Sequence, residues 1–263
     1  MKTVLLALSA ALLISSCATP KISVSDDLKD NHDEYTVKGR QGILVNQKLS
    51  FGEYRTQRVK RSWTKGSSTY SGFGFGYPGT EDYTNIISNE YIRRKQTVFF
   101  SLEDAKQKSE VYCTSRFNAK EFTLGKNENS LLNIVLDIFG KGGSSDNKFY
   151  VQIYTGENET PWQMMIDNQA AQAQAKSYTG ILARGKDRFY TIVPVTRLEM
   201  KGRSGNILAG SVGFEFRDQA NKTVAAVSML DKGMVFLGKT DAEERFLLAN
   251  ACAALLLQQN IEA

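Results

Sequence analysis

The chain reads as a mostly β protein, a closed antiparallel barrel of about twelve strands around a buried C-terminal hydrophobic helix. Three observations predict this. The first is the stretch Asp241 to Gln259, DAEERFLLANACAALLLQQ, which opens with an acidic turn. From Phe246 to Leu257 it is apolar on every side, with Asn250 its only polar residue. A helix apolar all round has to be buried. The second is the run of strand-like segments before it, which ends in a meander. The third is a match of size. The apolar part of the helix spans about 18 Å, the inner height of a barrel. It is too short for a bilayer, and it fills a lumen wider than wall side chains close by themselves. A β-sandwich or open sheet packed on the same helix is the alternative.

From Tyr35 the elements follow in order. TVKGRQGILV holds a Gly-Arg-Gln-Gly turn between β-branched runs, and KLSFGEYRTQRVKRSW supplies one or two strands. Within Ile86 to Leu102, TVFFSL is the strongest strand signal. Glu103 to Ser109 is a polar connector with room for one helical turn, and Glu110 to Leu124 carries two strand candidates. SLLNIVLDIF, residues 130–139, suits a buried strand or a short helix capped by Gly140. KFYVQIYTG alternates, with Phe149, Val151 and Ile153 on one face, and PWQMMID follows it, with Trp162 read as core. NQAAQAQAK is a short surface helix or a loop. SYTGILAR, DRFYTIVPVTRLEM, NILAGSVGFEFRD, TVAAVSML and MVFLGK are then five strands joined by short turns. Asp241 and Glu244 have capping-box spacing, and the acidic first turn suits the helix dipole.

The N-terminus has a different character. Lys2 precedes an apolar stretch from Val4 to Ile14, and Ile14-Ser15-Ser16-Cys17 closes it. About eleven apolar residues suit a cleaved signal better than a bilayer span, which takes about 20. The aliphatic-small-small-Cys pattern resembles the lipobox of bacterial lipoproteins. That resemblance implies a signal peptide over 1–16, a diacylglycerol on Cys17, attachment to the membrane through lipid, and, with Ala18 in place of Asp after the Cys, sorting to the outer membrane. A plain secretory signal is the other reading. Residues 17–34 then form a polar tether that contains the only histidine, His32, and 35–263 form a single domain.

Of the three cysteines, Cys113 and Cys252 remain once Cys17 carries lipid. They are either two separate core thiols or a disulfide from helix to wall. No pair of cysteines has metal-ligand spacing, and no metal or cofactor is expected. Catalysis is thinly supplied. One histidine in a tether gives no Ser-His-Asp or Cys-His arrangement, and there is no G-x-S-x-G elbow. Gly72-Phe73-Gly74-Phe75-Gly76 lacks the strand-to-helix context of a phosphate loop. Glu81, Asp82, Glu157, Glu159 and Glu215 read as surface charge. The chain is therefore not expected to be an enzyme; carboxylate-only chemistry is the residual alternative.

Charge is the better lead. A net charge of +5 is too modest to mark a nucleic-acid binder, but its distribution is uneven. Between Lys38 and Lys65 the single acid is Glu53, against Arg40, Lys48, Arg55, Arg58, Lys60 and Arg61, with Tyr54 and Trp63 interleaved; Arg93-Arg94-Lys95 adds a second cluster. Such a face attracts anionic lipid head groups. Equally, lysines and arginines on a solvated strand guard against edge pairing. The glycine-aromatic stretch with Tyr70, Phe73, Phe75 and Tyr77 is either a recognition loop or a hairpin packed back on the barrel.

GSVGFEFRDQANKTVAAVSMLDKGMVFLGK followed by ERFLLANACAALLL resembles the tubby-like superfamily, which includes the LURP-one-related proteins and phospholipid scramblases. The resemblance is one of architecture, without a diagnostic motif. It implies a closed barrel around a C-terminal helix, and binding of anionic lipid through basic wall residues. The expected function is a membrane-anchored envelope lipoprotein that binds or scaffolds, its partner an anionic lipid or another envelope protein. Lipid handling through the basic face is the alternative.

Overall fold

The computed structural model describes residues 20–40, 47–62, 96–117, 148–156, 160–200 and 203–258. In chain order these form β1 (Lys21–Ile22), α1 (Asp26–Lys29), β2 (His32–Thr36), β3 (Ser50–Phe51), β4 (Tyr54–Ser62), β5 (Gln96–Glu103), β6 (Lys108–Phe117), β7 (Lys148–Tyr154) and β8 (Trp162–Asp167). There follow α2 (Asn168–Ala173), β9 (Gly180–Ala183), β10 (Phe189–Val195), β11 (Arg197–Met200), β12 (Arg203–Asn206), β13 (Gly213–Arg217), β14 (Thr223–Ser228), β15 (Met234–Gly238) and α3 (Ala242–Leu257). Twelve strands make one antiparallel sheet in the order β2-β15-β14-β13-β10-β9-β8-β7-β6-β5-β4-β3. Its two ends meet just past β2, where Lys38 and Ser50 exchange backbone hydrogen bonds of 2.9 and 3.0 Å. The sheet thus curls nearly into the expected barrel, and edge strands β2 and β3 cover each other.

The helix α3 fills it. Every side chain from Phe246 to Leu257 is buried, and one continuous apolar cluster joins them to inward residues of the wall such as Phe100, Val111, Phe149, Val151, Ile153 and Phe216. At about 1.5 Å per residue its length is about 24 Å. Asp241 caps the start by accepting from the Glu244 N–H at 2.8 Å. The expected return half of the capping box is diverted, because the Glu244 carboxylate accepts from the Tyr190 hydroxyl of the wall at 2.8 Å. Asn250, fully buried, spends its amide N–H on the Phe246 carbonyl at 2.8 Å, and its Oδ1 accepts from the Ser109 hydroxyl of β6 at 2.5 Å. A polar group in such a core needs a partner, so this pair fixes how far the helix is inserted.

Both described cysteines are free and buried. The helix-to-wall disulfide left open by the sequence does not form. Cys252 lies against the Ala226 carbonyl of β14, whereas Cys113 is on β6, six strands further along the sheet order and so on the opposite wall. Burial raises both thiol pKa values.

The segment expected as a tether is folded onto the barrel from residue 20 onward, so the domain begins before Tyr35. β1 pairs with β11, and β2, which carries His32, is a barrel strand paired with β15. Ile22, Val24 and Leu28 form a second apolar cluster with Val195, Ala226 and Phe236 on the outer side of the wall. The aliphatic positions between the acids, too sparse to read as periodicity, are what pack there. Glu215, read as surface charge, is buried at 4% exposure. Its two oxygens accept from the Ser25 N–H at 2.7 Å and the Ser25 hydroxyl at 2.6 Å, and Arg217 pairs with it at 3.0 Å.

One of the five meander segments breaks in two: DRFYTIVPVTRLEM supplies β10 to the barrel and β11 to a separate three-stranded sheet, β1-β11-β12. β12 forms on Arg203, Ser204 and Gly205, expected as part of the turn after that segment, plus Asn206, the first residue of NILAGSVGFEFRD, whose Gly213–Arg217 supplies β13 to the barrel. An extended run looks the same along the chain whichever strand it pairs with, so pattern alone cannot show the change of partner. Asn168 onward forms the short helix α2, capped by Asp167, which accepts from the Ala170 N–H at 2.9 Å. The connector at Glu103 to Ser109 is a turn, with Asp104 Oδ1 accepting from the Lys106 and Gln107 N–H groups at 2.7 Å. Residues 130–139, the glycine-aromatic stretch with Tyr70, Phe73, Phe75 and Tyr77, Trp63, Arg93 to Lys95 and the signal with Cys17 lie outside the described residues.

Candidate functional site

The basic tract builds on the β3–β4 hairpin. Gly52 takes a φ of +55° in its two-residue turn, and a Cβ there would sit 2.6 Å from the Tyr35 ring, so glycine suits the position on both counts. Beyond the turn β4 alternates, with Tyr54 and Thr56 inward and Arg55 exposed. A β-bulge then intervenes. Gln57 pairs with Ser101 and Lys60 with Phe99, so three residues of advance on β4 match two on β5, and Arg58 takes a φ of +50°. One extra residue inverts the phase of everything after it. Val59 turns inward, Lys60 outward, and Arg61 inward toward the barrel mouth.

The bulge thereby splits the expected ligand face. Lys48, Arg55, Arg58 and Lys60 are exposed, and among the described residues none of the four is in an ion pair. Lys38, Ser50, Arg55, Glu103 and Lys108 sit side by side across successive strands. Glu103, accepting from Gln57 Nε2 at 2.8 Å, is thus the acid embedded in this strip. Four outward cations on a convex wall can attract an anionic surface, each contributing about 1 kcal/mol near anionic lipid.

Arg40 and Arg61 do not belong to that strip. Arg61 Nη2 donates to the Leu257 carbonyl at 2.9 Å. Arg40 Nε donates to the Leu256 carbonyl at 3.2 Å, and its Nη1 donates to Met229 and Asp231 carbonyls at 2.9 and 3.2 Å. Two guanidiniums therefore satisfy the last carbonyls of α3 and meet the negative end of its dipole. Gly39, at φ +84° and with no room for a Cβ against the Lys48 carbonyl, carries the backbone through the turn that aims Arg40 there. Burial lowers the pKa of both guanidiniums. The two are structural ligands of the plug, separated from their neighbours in sequence by a bulge and a turn that linear reading does not show.

Arg245 holds the other end. It donates to Asp33 Oδ2 at 2.8 Å, to the Tyr35 hydroxyl at 3.1 Å and to the Gly238 carbonyl at 2.9 Å. Burial alone would lower its pKa, but the hydrogen bonds to Asp33 and Tyr54 leave it above the ordinary guanidinium value.

Beside the cationic strip the outer wall carries aromatics that the sequence reading passed over. Phe99 pairs with Lys60 across β4–β5 and with Tyr112 across β5–β6, their rings 4.9 Å apart; Tyr154 meets Tyr112 edge-on at 5.7 Å. The signal was present in TVFFSL and EVYCTS, where strict alternation puts Phe100 and Cys113 inward and Phe99 and Tyr112 outward. At the barrel end near the start of α3, Trp162 is buried as expected, with Arg184 and Arg188 at 5.3 and 5.4 Å from its ring.

Among the described residues no cluster of three His, Cys, Asp or Glu is arranged to hold a metal ion, and no helix is long and apolar enough to cross a membrane. Comparison with protein-family models, with curated proteins and with solved structures finds no match.

Proposed function

We propose that this chain is an outer-membrane lipoprotein of the cell envelope, a single plugged barrel that binds or scaffolds and carries out no catalysis. The observation that carries this reading is Ile14-Ser15-Ser16-Cys17 at the end of a short apolar segment with Lys2 before it. A triacylated Cys17 anchors firmly, since each buried methylene adds about 0.8 kcal/mol. A barrel whose lumen is taken up by its own helix also leaves the outer wall as the surface for partners. Intact-mass measurement of the mature protein from a bacterial host tests the anchor. The expected mass is that of residues 17–263 plus three acyl chains and a glycerol, and Cys17→Ser abolishes it; cleavage elsewhere without lipid refutes the reading.

A second reading, lipid handling through the wall, is favoured by the exposed strip of Lys48, Arg55, Arg58 and Lys60 and agrees with the tubby-like resemblance. It expects Cys17→Ser protein to stay on phosphatidylglycerol vesicles at low salt and to leave them at high salt. Replacing the four cations by Gln removes that retention. A scaffold instead expects one envelope protein to co-purify at either salt concentration.

A further inference from the structure

Two features coincide on the small sheet β1-β11-β12. Among the described residues, the exposed large hydrophobics are Met200, at 49%, and Leu208, at 107%. The β11–β12 hairpin carries Met200 at its far end, where β11 stops, whereas Leu208 follows β12 at the end where the strands return to the barrel, beyond the Arg197–Asn206 pair. Apart from the half-buried Leu198, every residue of its two strands is exposed. A two-stranded ribbon open on both faces is marginal in water. This one is held along one edge by β1, with Lys21 opposite Glu199 and Ile22 opposite Leu198.

The second feature is the direction of the chain. β1 runs antiparallel to β11, so going back from Lys21 toward the N-terminus leads past Met200 and off the hairpin tip. Cys17 is four residues before Lys21. At no more than about 3.6 Å per residue, four residues reach about 14 Å. A lipid on Cys17 is at the bilayer surface, so the Met200 end of the hairpin has to stay within that short distance of it, whatever the barrel does.

Resting on the lipoprotein reading above, we propose that the β11–β12 hairpin is the surface seated on the bilayer, its Met200 end innermost, and that the cationic strip on β4 faces away into solution. By sequence the hairpin and its β1 neighbour carry Lys21, Arg197, Lys201 and Arg203 against Glu199 and, on β2, Glu34, with Lys21 and Glu34 paired at 2.6 Å. This modest excess of cations favours an anionic bilayer surface. The anchor sets the orientation, and Met200 completes it.

The test uses the full-length lipoprotein reconstituted in vesicles of phosphatidylethanolamine and phosphatidylglycerol. Cys113 and Cys252 are buried and Cys17 is acylated, so a single introduced cysteine takes an environment-sensitive fluorophore selectively. Labels go on Met200→Cys and on Arg55→Cys. The expected result is several-fold stronger quenching by nitroxide lipids, with a blue-shifted emission, at position 200 than at position 55. Equal exposure of both labels to water, or stronger lipid quenching at position 55, overturns the seating while the anchor stands. Absence of acyl mass on Cys17, with release of the protein by carbonate, overturns both.

Discussion

Asn250 and Ser109 give the most discriminating test of how the helix is held. Ser109→Ala deletes the hydroxyl that meets Asn250 Oδ1 at 2.5 Å and leaves that oxygen, fully buried, without its donor. An orphaned acceptor in such a place costs about 1–3 kcal/mol. The reverse change is cushioned on its polar side. After Asn250→Ala the Ser109 hydroxyl still has the Leu102 carbonyl, 3.2 Å away, so the loss of roughly 2 kcal/mol comes from the vacated volume. In Ser109→Ala/Asn250→Ala no orphan remains, and the two losses do not add. The double variant is expected to be more stable than the sum of the singles by about 1–2 kcal/mol. Urea unfolding of the four proteins measures this from the midpoints, provided the m-values agree. Coupling below about 0.5 kcal/mol, the ordinary scatter between independent sites, would refute the inference that this hydrogen bond sets the depth of the helix.

Two further outcomes follow from the same core. Ala253→Asp places a carboxyl where the wild-type side chain is fully buried in the apolar cluster. Even protonated and so uncharged, it costs about 2–7 kcal/mol for want of a hydrogen-bond partner and about 1–3 kcal/mol for the added volume. That is comparable to the roughly 5–15 kcal/mol that holds a typical domain together. Loss of the folded protein by circular dichroism is expected, and a soluble, folded variant would show that α3 is not a plug. At alkaline pH, burial raises the Tyr54 pKa to about 12 from 10.0. Its phenol is neutral in both states below pH 10, but between about 10 and 12 the unfolded chain ionises first. Stability is therefore expected to fall with rising pH through that window, by roughly 2 kcal/mol for this tyrosine. Buried Tyr150 and the half-buried Tyr178 and Tyr190, also raised, steepen the fall. Unfolding midpoints that do not change from pH 9 to 11 would contradict it.

Much of the frame was legible because it follows local rules. The all-round apolarity of Phe246 to Leu257 demands burial, and Asp241 at the head of an acidic turn marks the start of α3 to the residue. Strand-type composition located β5 and β8, and alternation located β7. The candidate site was legible only in part. Counting by twos from Arg55 puts Arg61 on the same face, and the bulge at Arg58 reverses that. The N-terminal segment misled for a related reason: Ile22, Val24 and Leu28 are three aliphatics among acids, and only the groove they enter on the wall makes them a core.

By itself, the sequence determined a β-rich chain, a capped helix that must be enclosed, and an N-terminus ending in Ile14-Ser15-Ser16-Cys17. These depend on solvation and backbone geometry over a few residues. Which way each arginine points, which strand β11 and β12 pair with, and why two core thiols stay apart were decided by the tertiary structure. The reason in each case is that a partner distant in the chain supplies the answer: the carbonyls at the end of α3 for Arg40 and Arg61, β1 for the hairpin, and opposite walls of one barrel for Cys113 and Cys252.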